Sequence, residues 1–524
     1  MSTERRNRCL CVALALALLA PAASAGNAPR TSDLRLEASA ARPIGSGYLE
    51  VAGVMSGTVA RDDGSGGAYR VPVTLAYPTD AARCNGTAVL DVLNSVFYET
   101  FEVAGTGSDP FFPSLFPVGR LVLGDDFLQA RGYVYAHVQW NKLVLERQRA
   151  AGTLPDPTLR IDRGTDGYVV LRDLSDFLRR PAVLLSGPVP APCAAGDVIG
   201  FGYSQTGMLL RRFYFARLNT ALARSPSFDD GLVFEASLHG GPGSRCRALT
   251  DKGPWFAYRF QGCAGATPVS QGRAITINTE TDVQIINGWR ARPENGSPIS
   301  GYRVYELAAM AHIPTPLLPL ELVGLRPSTQ AAQNYADSFP VFRAAIEHLR
   351  AWIDGGERPP DSAVIRGEVA RIDGALFDAG SWGSDNSFVF VPRTGEDGNA
   401  LGGVRLPHVR TQLRRHLTVG APLGVYRGTH CDNDPTERGF ILECQLSGNT
   451  SIYTMAGGTF TPYADFDPGR CADLYPTHGS YSEAVERAAE HAAVAGWILP
   501  AEIDAIVALA EQASEWPGCV PEAG

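Results

Sequence analysis

The stretch that most limits what this chain can fold into is Gly200-Phe201-Gly202-Tyr203-Ser204-Gln205-Thr206-Gly207. It follows a short apolar run, Val198-Ile199, and leads into Met208-Leu209-Leu210 and Phe213-Tyr214-Phe215. The first run reads as a buried strand and the second as an apolar helix. A strand that passes into a helix through Gly-x-Ser, a small residue and Gly turns too tightly for bulk beside the serine. Such a turn holds the serine hydroxyl exposed at the end of the strand. It also aims the N–H of the next residue, Gln205, at the space where an oxyanion would form. One position departs from the pattern Gly-x-Ser-x-Gly. Thr206 holds the second small position, and the glycine comes one later at Gly207.

The rest of the chain supplies the frame such a turn needs. Tyr48 to Met55 and Tyr69 to Tyr77 read as strands in a β-rich N-terminal section, and Thr87 to Leu93 and Gly132 to Val138 as buried strands. A helix follows, with Tyr168, Leu171, Leu174, Phe177 and Leu178 on one face. After the serine turn come strand-like runs at Leu232 to Phe234 with Ala236 to Leu238, Ala274 to Thr279 and Tyr302 to Leu307, then a helix from Phe339 to Ile353. Strands alternating with helices predict a doubly wound, mostly parallel sheet, led by antiparallel strands.

Breaks in this rhythm set the expected organisation. Gly355-Gly356-Glu357-Arg358-Pro359-Pro360 ends the closing helix. The predicted units are a signal peptide at 1–25, an α/β core at 26–360, an accessory cysteine-containing region at 361–470, and C-terminal helices packed on the core at 471–524. The signal reading rests on Arg5, Arg6 and Arg8, the apolar run from Cys9 to Leu19, and Ala23-Ser24-Ala25 as a small-x-small cleavage site. That places the mature chain in the periplasm or outside the cell, with no membrane anchor. Of ten cysteines, eight lie beyond the signal. With no C-x-x-C and no His-rich cluster they predict disulfides and no metal. Pairing neighbours in order gives Cys84–Cys193, Cys246–Cys263, Cys431–Cys444 and Cys471–Cys519. A net charge of −9, with no basic run, argues against nucleic acid as a partner.

A serine nucleophile needs a base and an acid. In the α/β-hydrolase plan they follow the serine as acid, then histidine, each from a loop after a later strand. The strand ending at Thr279 runs into Glu280-Thr281-Asp282, and the strand ending at Leu307 into Ala308-Ala309-Met310-Ala311-His312. The predicted triad is Ser204, His312 and Asp282, with Glu280 the rival acid. Asp282 is preferred because it sits farther past the strand, where a loop can carry it beneath the histidine. His478, in a coil after Pro476-Thr477, is the second choice of base. His348, on the closing helix, reads as structural, and His239 as part of a glycine-rich turn, His239-Gly240-Gly241-Pro242-Gly243. Gln205 and Ser95 are the predicted oxyanion donors. Trp140 and Asn141, just past a strand, are candidates to line the pocket.

These motifs resemble the bacterial exported α/β-hydrolase-domain family with a Ser-Gln-[Ser/Thr]-Gly elbow. The resemblance runs through Leu90 to Asn94, Gly202 to Gly207, Thr279 to Val283, Val304 to His312 and Gly398 to Pro407, so it spans most of the mature chain. The family's histidine motif reads aliphatic-Ala-Gly-x-x-His, and here Ala309 replaces the glycine. The Gly398 to Pro407 element makes the 361–470 region part of the family unit. The resemblance implies an α/β-hydrolase fold and an esterase-like serine hydrolase without cofactor, acting on a small-molecule or polymeric ester. An acyltransferase or peptidase with the same triad is the alternative enzyme. A hydrolase-fold binding protein that has lost catalysis is the alternative from another class.

Overall fold

The computed structural model describes residues 28–45, 47–94, 117–215, 217–224, 231–240, 272–284, 288–293, 300–310, 312, 337–371, 388–393, 400–410 and 475–512, with short pieces at 246–247, 260–261, 395, 453–456 and 459–462. Its leading strands are β1 (Arg30–Ile44), β2 (Tyr48–Ala60), β3 (Gly66–Pro78), β4 (Thr87–Val92), β5 (Val134–Val138), β6 (Arg160–Ile161) and β7 (Leu185–Ser186). They are followed by β8 (Asp197–Tyr203), β9 (Ala236–Gly240), the short pair β10 (Cys246–Arg247) and β11 (Phe260–Gln261), β12 (Arg273–Thr279) and β13 (Tyr302–Leu307). Eleven of these form one sheet in the order β13-β12-β9-β8-β4-β5-β3-β2-β1-β7, with β6 against β3. Each neighbouring pair from β13 through to β5 is parallel. From β5 to β1 each pair is antiparallel.

Both faces of the parallel part are buried, and the period of two along each strand sorts its residues between them. Ala88, Leu90 and Val198 join one cluster with Leu171, Leu174 and Phe177 of the helix Asp166–Arg179 and Leu209, Leu210 and Phe213 of the helix Gln205–Phe215. Val89, Ile199 and Phe201, one residue out of step, join the other, with Val122 and Leu123 of the helix Val118–Leu123 and Phe342, Ile346 and Leu349 of the helix Phe339–Ile353. This is an α/β fold wound on both sides, with antiparallel strands at its N-terminal margin.

The last helices extend the second face. The helix His478–Val494 begins with a capping box between Thr477 and Ser480. Arg343 grips Glu502 with two hydrogen bonds of 2.6 and 2.8 Å. His348 Nε2 donates to the Gly496 carbonyl at 2.8 Å. Cys84 and Cys193, the first of the expected pairs, are joined in a disulfide across Cα atoms 6.6 Å apart. It ties the turn before β4 to the segment before β8. Cys246 lies on β10, while Cys263, Cys431, Cys444, Cys471 and Cys519 fall outside the described residues, as does the signal segment. No helix among the described residues is long and apolar enough to cross a membrane.

β13 would be a bare edge, but its outer rail is filled by segments from beyond residue 360. Val304 N–H donates to Ser362 Oγ at 3.0 Å, and the Val304 carbonyl accepts from Ala363 N–H at 3.0 Å. Glu306 N–H donates to the Ala363 carbonyl at 2.9 Å, and the Glu306 carbonyl accepts from Val404 N–H at 2.8 Å. Ala308 N–H donates to the Val404 carbonyl at 3.0 Å. The fully buried Glu306 side chain anchors the same junction. Its carboxylate takes two 2.6 Å bonds from Arg292 and one of 2.8 Å from Ile365 N–H. Removing the Glu306 carboxylate leaves Ile365 N–H and the Arg292 guanidinium, 24% exposed, without this acceptor, at a cost of roughly 1–3 kcal/mol. Glu306→Ala is therefore expected to lower the melting temperature sharply, as read by circular dichroism. An unchanged melting curve would show that the junction contributes little.

Candidate active site

The site begins where β8 ends. Ser204 follows at φ +55°, a left-handed conformation that a non-glycine residue adopts only when its surroundings enforce it. The glycines at this turn are required by close approach. A Cβ on Gly202 would lie 2.5 Å from the Thr206 carbonyl oxygen, and one on Gly207 would lie 2.6 Å from the Gly240 carbonyl oxygen. Position 206 has room for a side chain, and that side chain secures the turn. Thr206 Oγ1 accepts from Tyr203 N–H and donates to the Tyr203 carbonyl, both at 3.0 Å. Ser204 N–H donates to the Gly240 carbonyl at 2.7 Å, which fixes the turn against the end of β9. Gln205 heads the helix, where main-chain N–H groups point out along the axis.

The acid stands on a helical turn, Glu280–Gln284, and not on the loop expected from sequence. The reason is a reciprocal cap. Thr279 N–H donates to Asp282 Oδ2 at 2.7 Å, and Asp282 N–H donates to Thr279 Oγ1 at 3.3 Å. That is a capping box written as Thr-x-x-Asp, a signal present in the sequence and overlooked. Thr279 Oγ1 also donates to Asp282 Oδ2 at 2.8 Å. With Oδ2 held this way, Oδ1 faces His312 Nδ1 at 2.6 Å. His312 Nε2 lies 3.1 Å from Ser204 Oγ. A carboxylate only accepts, so Nδ1 carries the proton and Nε2 is left to accept from the serine hydroxyl. Asp282 and His312 are buried, and Ser204 is partly exposed.

Glu280, the rival acid, is also buried but points elsewhere. Its Oε2 accepts from Ala309 N–H at 2.6 Å. Ala309 itself sits at φ +65°, so the alanine adopts the left-handed conformation for which a glycine is the usual choice. Tyr203 closes the site from below. Its hydroxyl donates to the His312 carbonyl, and its ring lies 5.4 Å from the imidazole, centre to centre.

Ser95 lies outside the described residues. Its neighbour Asn94 donates through Nδ2 to the Tyr203 carbonyl at 2.9 Å, which holds the end of β4 against the serine turn. Trp140 is buried and donates to the Leu93 carbonyl at 2.8 Å. Asn141 caps the helix Lys142–Ala151 through Leu143 N–H at 3.0 Å. Both brace the scaffold. His478 is the first residue of a helix and donates to the Ala510 carbonyl at 3.0 Å. His239 belongs to β9 and not to a turn, because its backbone continues the ladder beside β12. Its ring meets Ser237 Oγ at 2.9 Å and Thr276 Oγ1 at 3.2 Å, and burial pushes its pKa well below the usual imidazole value. His137, on β5, is buried as well, and desolvation pushes its pKa down to about 3, so it stays neutral. Among the described residues no group of three or more His, Cys, Asp or Glu side chains gathers as a metal site would.

Residues 121–508 match a protein family described as "Alpha/beta hydrolase domain". No curated protein matches the chain in sequence. Solved structures similar to it include a glucuronoyl esterase from Solibacter usitatus, 11% identical, with a TM-score of 0.27, covering 54% of this chain and 83% of that one. A CE15 glucuronoyl esterase from Teredinibacter turnerae is 11% identical with a TM-score of 0.28, covering 55% and 79%. Prolyl oligopeptidase B from Galerina marginata is 15% identical with a TM-score of 0.23, and the chain spans 41% of its length and 51% of its own. Likenesses this distant carry no argument about substrate.

Proposed function

This chain belongs to the alpha/beta hydrolase domain family, and from that premise we propose that it is a serine hydrolase that cleaves carboxylic esters through an acyl-enzyme. The observation that carries the proposal is the unbroken chain Ser204 Oγ, His312 Nε2, His312 Nδ1, Asp282 Oδ1, with contacts of 3.1 and 2.6 Å. In this reading Ser204 Oγ bonds to the ester carbonyl carbon while its proton passes to His312 Nε2. Asp282 stabilises the imidazolium that results. The Gln205 N–H, with that of Ser95, receives the oxyanion. As the tetrahedral adduct collapses, the alcohol leaves with the proton from Nε2. Water then repeats the sequence on the acyl-serine and releases the carboxylic acid.

Export is part of the same proposal. It is supported by the Arg-then-apolar leader and by the Cys84–Cys193 disulfide, since such bonds persist in oxidising compartments. The substrate is an ester, small or polymeric. The test is a fluorophosphonate probe on the purified protein, alongside p-nitrophenyl acetate turnover. The expected result is a single label on Ser204 that abolishes hydrolysis in proportion. Absence of both labelling and turnover would favour a non-catalytic binding protein.

A further inference from the structure

We propose that Glu280 and Tyr203 are positioning residues that hold the His312 segment in register with Ser204, an inference that rests on the site reading above. The segment from Ala308 to His312 leaves β13 and reverses through Ala309 at φ +65°. A residue with a Cβ prefers other conformations, so this reversal needs an external hold. Glu280 supplies one, accepting the Ala309 N–H at 2.6 Å with a carboxylate that is itself buried. Tyr203 supplies the other, where the segment ends, through its hydroxyl on the His312 carbonyl. Phe342 packs against the Tyr203 ring, 5.8 Å between centres, and limits its swing.

Both holds are tied directly to the reacting groups. Glu280 sits two residues before Asp282 on the same helical turn, and Tyr203 sits immediately before Ser204. Each therefore links one member of the site to the segment that carries the histidine. If the segment drifts, Nε2 leaves Ser204 Oγ and Nδ1 leaves Asp282 together. A displacement near 1 Å at reacting groups costs on the order of a hundredfold in rate. Glu280 is thus not an idle second carboxylate but the anchor of the histidine's backbone.

The experiment compares Glu280→Ala, Glu280→Gln and Tyr203→Phe with wild type and Ser204→Ala. It reads melting temperature, the rate of fluorophosphonate labelling, and kcat and KM for p-nitrophenyl acetate separately. Glu280→Ala and Tyr203→Phe are expected to lose roughly ten- to a hundredfold in labelling rate and kcat/KM while folded. The loss should fall on kcat with KM little changed, because the position of the histidine serves the reacting atoms and not the binding of the ester. Glu280→Gln should stay within about threefold of wild type, since its amide oxygen still accepts the Ala309 N–H. A residue with a merely structural role would lower the melting temperature and leave kcat of the folded protein in place. Wild-type labelling rate and kcat in folded Glu280→Ala would overturn the proposal. So would a Glu280→Gln variant as slow as Glu280→Ala. Should Glu280→Ala fail to fold, Tyr203→Phe decides by the same two readings. Failure confined to these variants leaves the site reading standing, whereas a fully active Ser204→Ala removes that reading and this proposal with it.

Discussion

Ser204→Ala is expected to lose about a millionfold in turnover of p-nitrophenyl acetate while melting at nearly the wild-type temperature. The loss follows from chemistry. No other hydroxyl stands at hydrogen-bond distance from His312 Nε2 among the described contacts, so the variant has no nucleophile to activate. The fold should survive because the turn is held by atoms that the substitution leaves alone. Thr206 Oγ1 still bridges the Tyr203 amide and carbonyl, and the residue 204 N–H still reaches the Gly240 carbonyl. Alanine at φ +55° carries the same backbone strain as serine. A residual rate about 10³–10⁴ above that in water would be the contribution of the oxyanion donors and substrate binding. Near wild-type hydrolysis by this variant would remove Ser204 from the chemistry.

The second large effect separates the two carboxylates. Asp282→Asn should cost about ten-thousandfold, and the structure gives the reason. Thr279 directs two donors, its N–H and its hydroxyl, at Asp282 Oδ2. An asparagine would turn its only acceptor oxygen to those donors, leaving its NH2 facing His312 Nδ1. The NH2 donates, so Nδ1 must accept and the ring proton moves to Nε2. That is the tautomer unable to take the proton of Ser204. Glu280→Gln faces no such conflict, because only an acceptor is needed opposite Ala309 N–H. Rates for the two variants, measured side by side, check the assignment. A crippled Glu280→Gln beside a mild Asp282→Asn would reverse it. His312→Ala should be as damaging as Asp282→Asn or worse, whereas His478→Ala should affect only the packing near Ala510.

Much of the frame was legible because it is written in local pattern. The run from Tyr302 to Leu307 and the helix from Phe339 to Ile353 are found where apolar spacing put them. β1 was not foreseen. Its fifteen residues have one fully buried side chain, Leu36, so the usual alternation is nearly absent. That strand exists because β2 offers it a ladder, a tertiary cause. The helical turn under Asp282 was missed for a different reason. Thr279-Glu280-Thr281-Asp282 reads as a strand running out into a loop, although the spacing of Thr and Asp encodes the cap. Thr206 looked like a flaw in a glycine pattern, and only three-dimensional contact reveals a side chain that bonds its own turn twice. Trp140 and Asn141 sit at a strand end where ligands often bind, yet Trp140 Nε1 donates to the Leu93 carbonyl and Asn141 Oδ1 caps the helix that follows.

The filled outer rail of β13 decides how the sheet comes apart. A strand with both rails hydrogen-bonded offers denaturant no loose thread, so local opening starts where a rail is bare. At the opposite margin β1 is covered by β7 over only the pairs Leu36–Leu185 and Glu37–Ser186. Unravelling is therefore expected to run from the N-terminal hairpin inward, and the strand that feeds His312 to be among the last reached. Ser204, Asp282 and His312 should then keep their mutual distances while the far side of the molecule frays, so turnover in rising denaturant is expected to outlast hydrogen-exchange protection of the N-terminal hairpin.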